Sequence, residues 1–435
     1  METNQRRKLS VDMMDLTFIG TSSGAPSMSR NQQALALQLC GQTWLFDCGE
    51  ATQHRLMHTT LSPTQISRIF ISHLHGDHVF GLPGLLCNIA AVDNSDGEAY
   101  ADSSKWSGAA PVVLVGPVGL RSWLRTVLGN SYATLGGMKL QILELDGLRA
   151  LEKSRMRPPV EVDRPLPNEV EGAVLQPNGD GSWDVPMAVG EPPVTVKAVE
   201  LDHTVPTVGW VVTENPRAGK IDAARVRPLL AAQGVHVSAM RELKDGKPLT
   251  LPDGSVLDPA DFVSPMTQRK LAILSDMRGS MGGAGSPPAA EVHAADASLL
   301  VHEATNACLR ADFQKTGKGP REVEQHAVRH GHSTPQMAGG FAQRVGAQHL
   351  ALTHFSPRYL GDDSHYARNA MKEFRGLART KYAGPVTTAV DLMRMRVNIN
   401  GSVDIFPPIN EGQPGGRYQP AAQQRTSPGT HPNQQ

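Results

Sequence analysis

Four side chains that commonly bind metals lie within six consecutive residues of this 435-residue chain, in the segment His73-Leu74-His75-Gly76-Asp77-His78. Imidazole and carboxylate groups are the ligands that Zn²⁺ and related divalent ions prefer. A short apolar run, 68–72, precedes the segment, and a longer apolar run, 82–91, follows it. An exposed polar loop with chance histidines explains this context poorly. The sequence therefore predicts a metal site at the end of a buried strand.

Other short apolar runs also end at a histidine or an aspartate. Residues 272–275 lead to Asp276, and residues 351–353 lead to His354. Strand-like runs alternate with helix-compatible segments along the chain, which predicts a layered α/β fold. Because ligands at strand ends are held by rigid elements, we expect these side chains to meet at one edge of a sheet.

The composition excludes several classes of protein. Four cysteines are too few for a disulfide-rich scaffold and suit a reducing compartment. We find no apolar run of about 18 residues and no secretory signal, so we expect no membrane span. The 42 basic and 42 acidic residues balance, which argues against a broadly basic protein that coats nucleic acid. An intracellular location is expected, in the cytoplasm or the nucleus, and an organelle stays open.

The residues around the histidine-rich segment resemble a known family. The sequence HLHGDH is the zinc signature of the metallo-β-lactamase superfamily, and residues 45–60 and 71–86 resemble the ribonuclease Z family. Later motifs follow in that family's order: VELDHTVPTVGWVV (199–212), LKDGKPLTLPDGSVLDPADF (243–262), VHEAT (301–305), HST (332–334) and LTHFSPRY (352–359). The resemblance covers residues 13–150 and 194–405.

This resemblance implies an α/β fold, namely an αββα metallo-β-lactamase sandwich with an inserted exosite arm, over residues 13–406. The family's arm grips tRNA, and we expect it near residues 215–250, where flanking basic residues remain although the usual Gly-Pro core is absent. The Pro-rich segment 151–193 is expected to be an insertion or a long loop. A low-complexity loop is expected at 279–290, and a disordered tail at 407–435.

The resemblance also implies two zinc ions per subunit. Seven protein side chains would bind them, which leaves an open position of the kind that marks a catalytic site. The implied ligands are, for one ion, His73, His75 and His203, for the other, Asp77, His78 and His354, and for both, Asp276. Asp47, which follows a short strand, is expected to orient one of the ligand histidines.

The implied activity is that of an endoribonuclease that removes the 3′ trailer from tRNA precursors. Asp77 would orient or deprotonate the attacking water, His332 would protonate the leaving 3′ oxygen, and Glu303 would position His332. Arg358 and Arg30 are candidates for binding RNA phosphates, because arginine binds phosphate oxygens in a bidentate manner. The family forms homodimers in which the arm of one subunit serves the other, so we expect a homodimer with precursor tRNA as its partner.

Two other functions stay open from the sequence. One is another dinuclear zinc hydrolase of the same fold that acts on a small phosphodiester or an ester. The other is a non-catalytic tRNA-binding protein, although the intact ligand set argues against a decayed site. The three late motifs favour the ribonuclease, because a generic hydrolase would share only the metal ligands. One departure is that the family's Gly-Asp-Thr is Ser275-Asp276-Met277 here, which removes the threonine hydroxyl.

Overall fold

The computed structural model describes residues 11–93, 110–149, 162–217, 219–264, 267–280 and 287–408. Two β-sheets pack face to face, and helices cover the outer face of each sheet. This arrangement confirms the predicted αββα sandwich. Within the described ranges, none of the helices combines the length and the apolar composition that a membrane crossing requires.

The first sheet has nine strands: β1 (Met14–Gly20), β2 (Ala34–Leu39), β3 (Gln42–Phe46), β4 (Ile66–Phe70), β5 (Val112–Pro117), β6 (Leu140–Leu145), β7 (Glu169–Leu175), β18 (Arg394–Val397) and β19 (Val403–Phe406). Their order across the sheet is β19-β18-β1-β2-β3-β4-β5-β6-β7. The strands from β3 to β7 run parallel, and the remaining neighbours pair antiparallel.

The second sheet has eight strands: β8 (Ser182–Val185), β9 (Val194–Asp202), β10 (Thr207–Glu214), β13 (Lys270–Ile273), β14 (Gly279–Ser280), β15 (Leu299–Glu303), β16 (Leu350–Thr353) and β17 (Val386–Thr388). The main order is β14-β9-β10-β13-β15-β16-β17, and β8 pairs with β9. The strands β13, β15, β16 and β17 run parallel.

The helices belong to the outer layers. The first sheet is covered by α1 (Thr52–Leu56), α2 (Gly76–Val79), α3 (Leu82–Asp93) and α4 (Leu120–Asn130). The second is covered by α8 (Ala289–Ala294), α11 (Pro335–Arg344) and α12 (His365–Arg379), while α9 (Arg310–Thr316) and α10 (Pro320–Arg329) lie between β15 and α11 in the chain. Between the sheets lies a third apolar layer, in which the ring centroids of Phe70 and Trp210 are 5.0 Å apart. Burial of these three apolar layers drives the assembly of the sandwich.

The parallel strands of both sheets bring polar residues to one edge. Asp47 follows β3, and His73 lies in the loop after β4. In the second sheet, Asp276, Glu303 and His354 lie at or just after the ends of β13, β15 and β16. Parallel strands end at the same edge of a sheet, so residues far apart in sequence become neighbours there. Asp47 and His354 have positive φ angles of 61° and 57°, which non-glycine residues adopt rarely and mostly where the surrounding structure holds them.

The segment 151–193 contributes to both sheets, which corrects the prediction of a long loop. β7 extends the first sheet beside β6, and β8 adds to the second beside β9. The strand β7 has only exposed and half-buried residues, so its sequence lacks the apolar signal by which buried strands are recognised. Parts of three predicted segments lie outside the described residues. These parts are residues 151–161 of the segment 151–193, residues 281–286 of the low-complexity loop and residues 409–435 of the tail.

The predicted arm is a small unit with its own apolar core. It consists of α5 (Ala223–Ala232), α6 (Met240–Lys244), the strand pair β11 (Leu249–Thr250) and β12 (Val256–Leu257), and α7 (Pro259–Phe262). Two bridges close its base, one between Arg217 and Thr267 and one between Ile221 and Val263. The unit therefore extends past the predicted boundary at 250. Its core is formed by Val226, Leu230, Leu243, Leu249, Leu251 and Leu257.

Candidate metal centre and active site

The first group of potential ligands combines three histidines with Asp276. The His73 Nε2 and His75 Nδ1 atoms are 3.0 Å apart, and His203 Nε2 lies 3.3 Å from the same His75 nitrogen. Asp276 Oδ2 is 3.8 Å from both His73 Nε2 and His203 Nε2. One potential ligand atom from each of the four residues lies within 4.8 Å of the others. These residues come from the β4–α2 loop, the end of β9 and the loop after β13.

The second group shares Asp276 with the first. The Nε2 atoms of His78 and His354 are 3.2 Å apart, and Asp77 Oδ2 lies 3.4 Å from His354 Nε2. Asp276 Oδ1 is 3.1 Å from His354 Nδ1 and 3.5 Å from His78 Nε2. The backbone N–H of Gly24 donates to Asp77 Oδ2 at 2.6 Å, which holds this carboxylate in place. Two adjacent groups joined by one carboxylate are the arrangement expected of a dinuclear metal centre.

The donor atoms of the two groups fit a bound cation. Asp276 Oδ1 is buried and has no hydrogen-bond partner among the described residues. Burial alone would raise the pKa of the Asp276 carboxyl, but His354 and His78 hold that pKa well below its usual value. Burial keeps the pKa of His73 well below its ordinary value, so its imidazole is neutral and offers a lone pair. An ionised Asp276 and a neutral His73 are protonation states that suit metal binding, whereas at His78 burial is outweighed by Asp276, Asp47 and Asp77, which raise its pKa well above the usual value.

Asp47 fixes the orientation of His78. Its Oδ2 atom lies 2.7 Å from His78 Nδ1, and it accepts hydrogen bonds from the Ser72 backbone N–H at 2.7 Å and from the Ser72 hydroxyl at 2.9 Å. With His78 Nδ1 engaged, His78 Nε2 is left to face His354. Such support is what the sequence predicts for Asp47, and partners of this kind raise the basicity of a metal-binding imidazole.

The backbone carbonyl of Gly331 supports His203 in the same way. Gly331 is not one of the site residues predicted from the sequence. His203 Nδ1 donates to the Gly331 carbonyl oxygen at 2.7 Å, so His203 Nε2 faces His75 and Asp276. Gly331 has a φ of +82°, and a Cβ added there would lie 2.4 Å from His203 Nδ1. The only signal for this role in the sequence is a glycine beside the HST motif.

Replacing Gly331 tests whether its contact with His203 matters for metal binding. We expect Gly331→Ala to weaken zinc binding about 10- to 100-fold, because the new methyl group displaces the supported imidazole. Zinc content and affinity are measured on the folded protein by competition with a chelating dye. Gly317→Ala is the matched control, because Gly317 also has a positive φ of +68° but has no atom within 4 Å of the added Cβ. Equal zinc affinity in the two variants contradicts the assignment.

Comparisons with known proteins agree with this fold and this site. The zinc phosphodiesterase ELAC protein 1 of Bos taurus is 36% identical over 350 residues, which are 80% of this chain and 87% of that protein. The ribonuclease Z of Geobacillus kaustophilus is 35% identical over 353 residues, which are 80% of this chain and 90% of that protein. This chain belongs to the ribonuclease Z family.

A solved structure supports the same assignment. The crystal structure of human tRNase Z, short form (ELAC1), is 28% identical, covers 88% of this chain and 98% of that chain, and gives a TM-score of 0.52. The family model described as anti-Pycsar protein Apyc1 matches residues 14–97. That match contains β1 to β4 and the histidine-rich segment, whereas the ribonuclease Z relatives match most of the chain. The predicted family and fold are therefore confirmed.

In this ribonuclease Z family member, the buried Glu303 and the half-buried His332 form a pair beside the metal groups. His332 Nδ1 lies 3.2 Å from Glu303 Oε1 and 3.8 Å from Asp276 Oδ2. Glu303 Oε1 also accepts from the Met277 backbone N–H at 2.8 Å, and Oε2 accepts from the Thr305 hydroxyl at 2.6 Å and the Thr305 N–H at 3.2 Å. Glu303 lies close enough to His332 and His354 to form a third potential ligand group. These four accepted hydrogen bonds occupy the lone pairs of the Glu303 carboxylate. We therefore assign Glu303 as a hydrogen-bond partner of His332 and not as a metal ligand.

The environment of His332 favours its protonated form. Burial opposes protonation, but the negative charge of Glu303 and its hydrogen bond raise the pKa of His332 to about 9. Because Nδ1 is held by Glu303, Nε2 is the nitrogen left to meet a substrate. The arrangement suits a general acid whose proton is available near neutral pH.

Ser275 and Met277, which stand where the family has glycine and threonine, form hydrogen bonds on either side of Asp276. The Ser275 hydroxyl donates to the Ser72 hydroxyl at 2.9 Å, and Met277 supplies the backbone N–H that Glu303 accepts. The Met277 side chain is buried, and the Ser333 hydroxyl donates to its carbonyl oxygen at 2.6 Å. Met277 therefore replaces a polar side chain with an apolar one while its backbone still connects the Asp276 loop to Glu303.

The two arginines suggested as phosphate contacts differ in position. Arg358 is half exposed, stacks over Tyr359 with 4.6 Å to the ring centroid, donates to the Tyr359 hydroxyl and lies 3.7 Å from Asp312. It is accessible to a substrate, and its role as a phosphate contact stays a prediction.

Arg30, in contrast, is only 1% exposed. Its guanidinium donates to the Tyr359 carbonyl at 2.8 Å, the Thr21 hydroxyl at 2.6 Å and the Ala389 carbonyl at 3.0 Å, and it stacks on Phe355. We therefore correct the prediction that Arg30 binds substrate. The sequence could not show this, because a buried arginine that joins three loops looks the same in sequence as an exposed one.

Proposed function

We propose that this member of the ribonuclease Z family is a zinc-dependent endoribonuclease that removes the 3′ trailer from tRNA precursors and leaves a 3′ hydroxyl. The observation that carries the proposal is that two potential metal groups share Asp276 and lie directly beside the Glu303–His332 pair. The names of the relatives, ribonuclease Z and zinc phosphodiesterase, support both the metal and the substrate class. We infer two zinc ions per subunit, one for each group.

The protein side chains then divide the reaction between them. Zinc bound at the two groups would supply Lewis acidity that promotes ionisation of water and neutralises charge on the phosphodiester. Asp77, whose carboxylate accepts from the Gly24 N–H, would orient the attacking water or accept its proton. His332 donates a proton to the leaving 3′ oxygen, and Glu303 holds the imidazolium in position. Arg358 is the exposed cation available to bind a nearby phosphate.

In this proposal, the arm binds the precursor tRNA. Its exposed surface includes the basic side chains Arg225, Arg227, Arg241, Lys244 and Lys247, which lie among exposed carboxylates of the same unit. RNA phosphates attract such a cluster even though the chain as a whole has zero net charge, because binding depends on the local field.

Neutralising part of this cluster should weaken binding and leave the chemistry intact. We expect the triple variant Arg227→Ala, Lys244→Ala and Lys247→Ala to raise KM for precursor tRNA about tenfold and to reduce the salt dependence of binding by about three units of slope. Hydrolysis of bis-p-nitrophenyl phosphate should be unchanged. The control is the exposed pair Lys372→Ala and Arg379→Ala on α12. An equal loss in the control would show a non-specific charge effect.

Incubation of the full-length protein with a precursor tRNA tests the proposed function itself. We expect one cut at the 3′ side of the discriminator base, a 3′-hydroxyl end on the tRNA and complete loss of cleavage in the presence of a chelator. Zinc should restore the activity. Hydrolysis of small phosphodiesters without any cut in the precursor would favour the alternative, a small-molecule hydrolase of the same fold. Cleavage that survives chelation would overturn the metal-dependent mechanism.

We also propose a homodimer in which the arm of one subunit serves the site of the other. Mixing the arm variant with a His354→Ala variant tests this arrangement. If the arm acts on the partner, mixed dimers combine an intact arm with an intact site and recover cleavage. If the arm serves its own subunit, mixing restores nothing. Light scattering on the same samples measures whether dimers form.

A further inference from the structure

A cavity of about 470 Å³ lies beside the Glu303–His332 pair and is separate from the metal groups. Three of its lining residues are Met277, His302 and Ser333, which directly adjoin Asp276, Glu303 and His332 in the sequence. All three are buried. None of the proposed metal ligands lines the cavity. The space therefore shares a wall with the active site without being part of it.

The inner part of the cavity offers hydrogen-bond acceptors that have no donor. The Oε1 atom of Gln336 is buried and has no hydrogen-bond partner among the described residues. His302 Nδ1 donates to the Glu303 carbonyl oxygen at 2.7 Å, which leaves Nε2 as an acceptor in the neutral ring. No partner for that second nitrogen occurs in the described part of the chain. A buried acceptor such as Gln336 Oε1 is normally satisfied, so an occupant with an N–H or O–H donor fits here.

Three basic side chains lie at the rim of the cavity, and two of them are ion-paired with carboxylates that do not line it. Arg278, Arg344 and Lys381 line it together with a single carboxylate, Glu324. Arg278 is paired with Asp202 at 2.9 Å, and Arg344 is paired with Glu291 at 2.9 Å. Lys381 is exposed and has no ion-pair partner within the described ranges. An occupant with an anionic group at its outer end would be bound by these side chains.

Apolar side chains complete the lining. Met277, Met337 and Phe341 provide thioether and aromatic surface between the inner acceptors and the basic rim. Such a surface suits a flat ring, and the volume lies within the range of pockets that bind small ligands. We propose that this cavity binds an aminopurine mononucleotide, with the exocyclic amino group of the base donating to Gln336 and His302 and the phosphate bound by Lys381 and the rim arginines.

Calorimetric titration of the zinc-loaded, full-length protein with AMP tests the proposal. We expect AMP to bind more tightly than adenosine, which lacks the anion, and more tightly than inorganic phosphate, which lacks the ring. Purine riboside 5′-monophosphate, which lacks the exocyclic amine, should bind more weakly than AMP. In the double variant Gln336→Leu and Lys381→Ala, we expect the Kd for AMP to rise about tenfold, since each lost polar contact contributes a few-fold.

Matched controls separate this site from the metal centre. Lys372→Ala removes an exposed lysine of α12 that does not line the cavity, and it should bind AMP as the wild type does. The melting temperature of the double variant should equal that of the wild type, because Gln336 loses no hydrogen bond at Oε1. If the double variant binds AMP as tightly as the wild type, AMP binds elsewhere and the proposal is overturned. No binding of AMP beyond that of inorganic phosphate also overturns it.

Discussion

Asp276→Asn is expected to lower kcat/KM for precursor tRNA by at least about 10³-fold. The Lewis acidity of bound metal stabilises the transition state by several kcal/mol, and each 1.36 kcal/mol of lost stabilisation lowers the rate about tenfold. Asp276 is the one carboxylate that both ligand groups share, so its loss weakens both sites. Asparagine has nearly the same size, which separates the loss of charge from a change in packing. Bound zinc, measured by atomic absorption, should fall to one ion or fewer per subunit.

Asp404→Asn is the control for this substitution. Asp404 is an exposed carboxylate on β19 and is not one of the residues grouped as potential metal ligands. It should retain both zinc ions and full activity. Two bound zinc ions together with undiminished cleavage in Asp276→Asn would contradict the shared-ligand assignment.

His332→Ala is expected to lower cleavage by about 10²- to 10⁴-fold, the usual contribution of a positioned general acid. In contrast to Asp276→Asn, this variant should keep its full zinc content, because Nδ1 of His332 faces Glu303. His330→Ala is the matched control, since His330 is an exposed histidine two residues away whose Nδ1 bonds only its own helix. Loss of zinc in His332→Ala would instead identify His332 as a metal ligand.

The pH profile of Glu303→Gln extends the same test. Glu303 raises the pKa of His332, so an acid role for His332 predicts activity that falls as pH rises through that pKa. Without the carboxylate charge, the protonated imidazole is less stable and the alkaline limb should move to lower pH. The glutamine keeps the size of the side chain, but its single carbonyl oxygen can accept from only one side, either the Met277 N–H or the Thr305 groups. An unmoved alkaline limb would assign Glu303 a purely structural role.

The ligand set could be predicted from the sequence because its signals are local. HLHGDH places four donor groups within one strand-to-helix turn, and the later ligands each follow a recognisable strand. Alternating strands and helix-compatible segments predicted the layered α/β class, whereas the αββα sandwich was expected from the family resemblance. The arm, in contrast, extends to the bridge at residue 267, beyond the boundary near 250 that was expected from the family resemblance.

The sequence by itself predicted the fold class, and its ordered motifs predicted the family and the candidate site residues, because short-range spacing carries those signals. Only the tertiary structure decided how those residues are supported. It brought the Gly331 carbonyl to His203, satisfied Glu303 with four hydrogen bonds, buried Arg30 and formed a basic-rimmed cavity beside His332. Each of these contacts joins residues distant in sequence or depends on burial, and neither property can be read from residue type and local spacing alone.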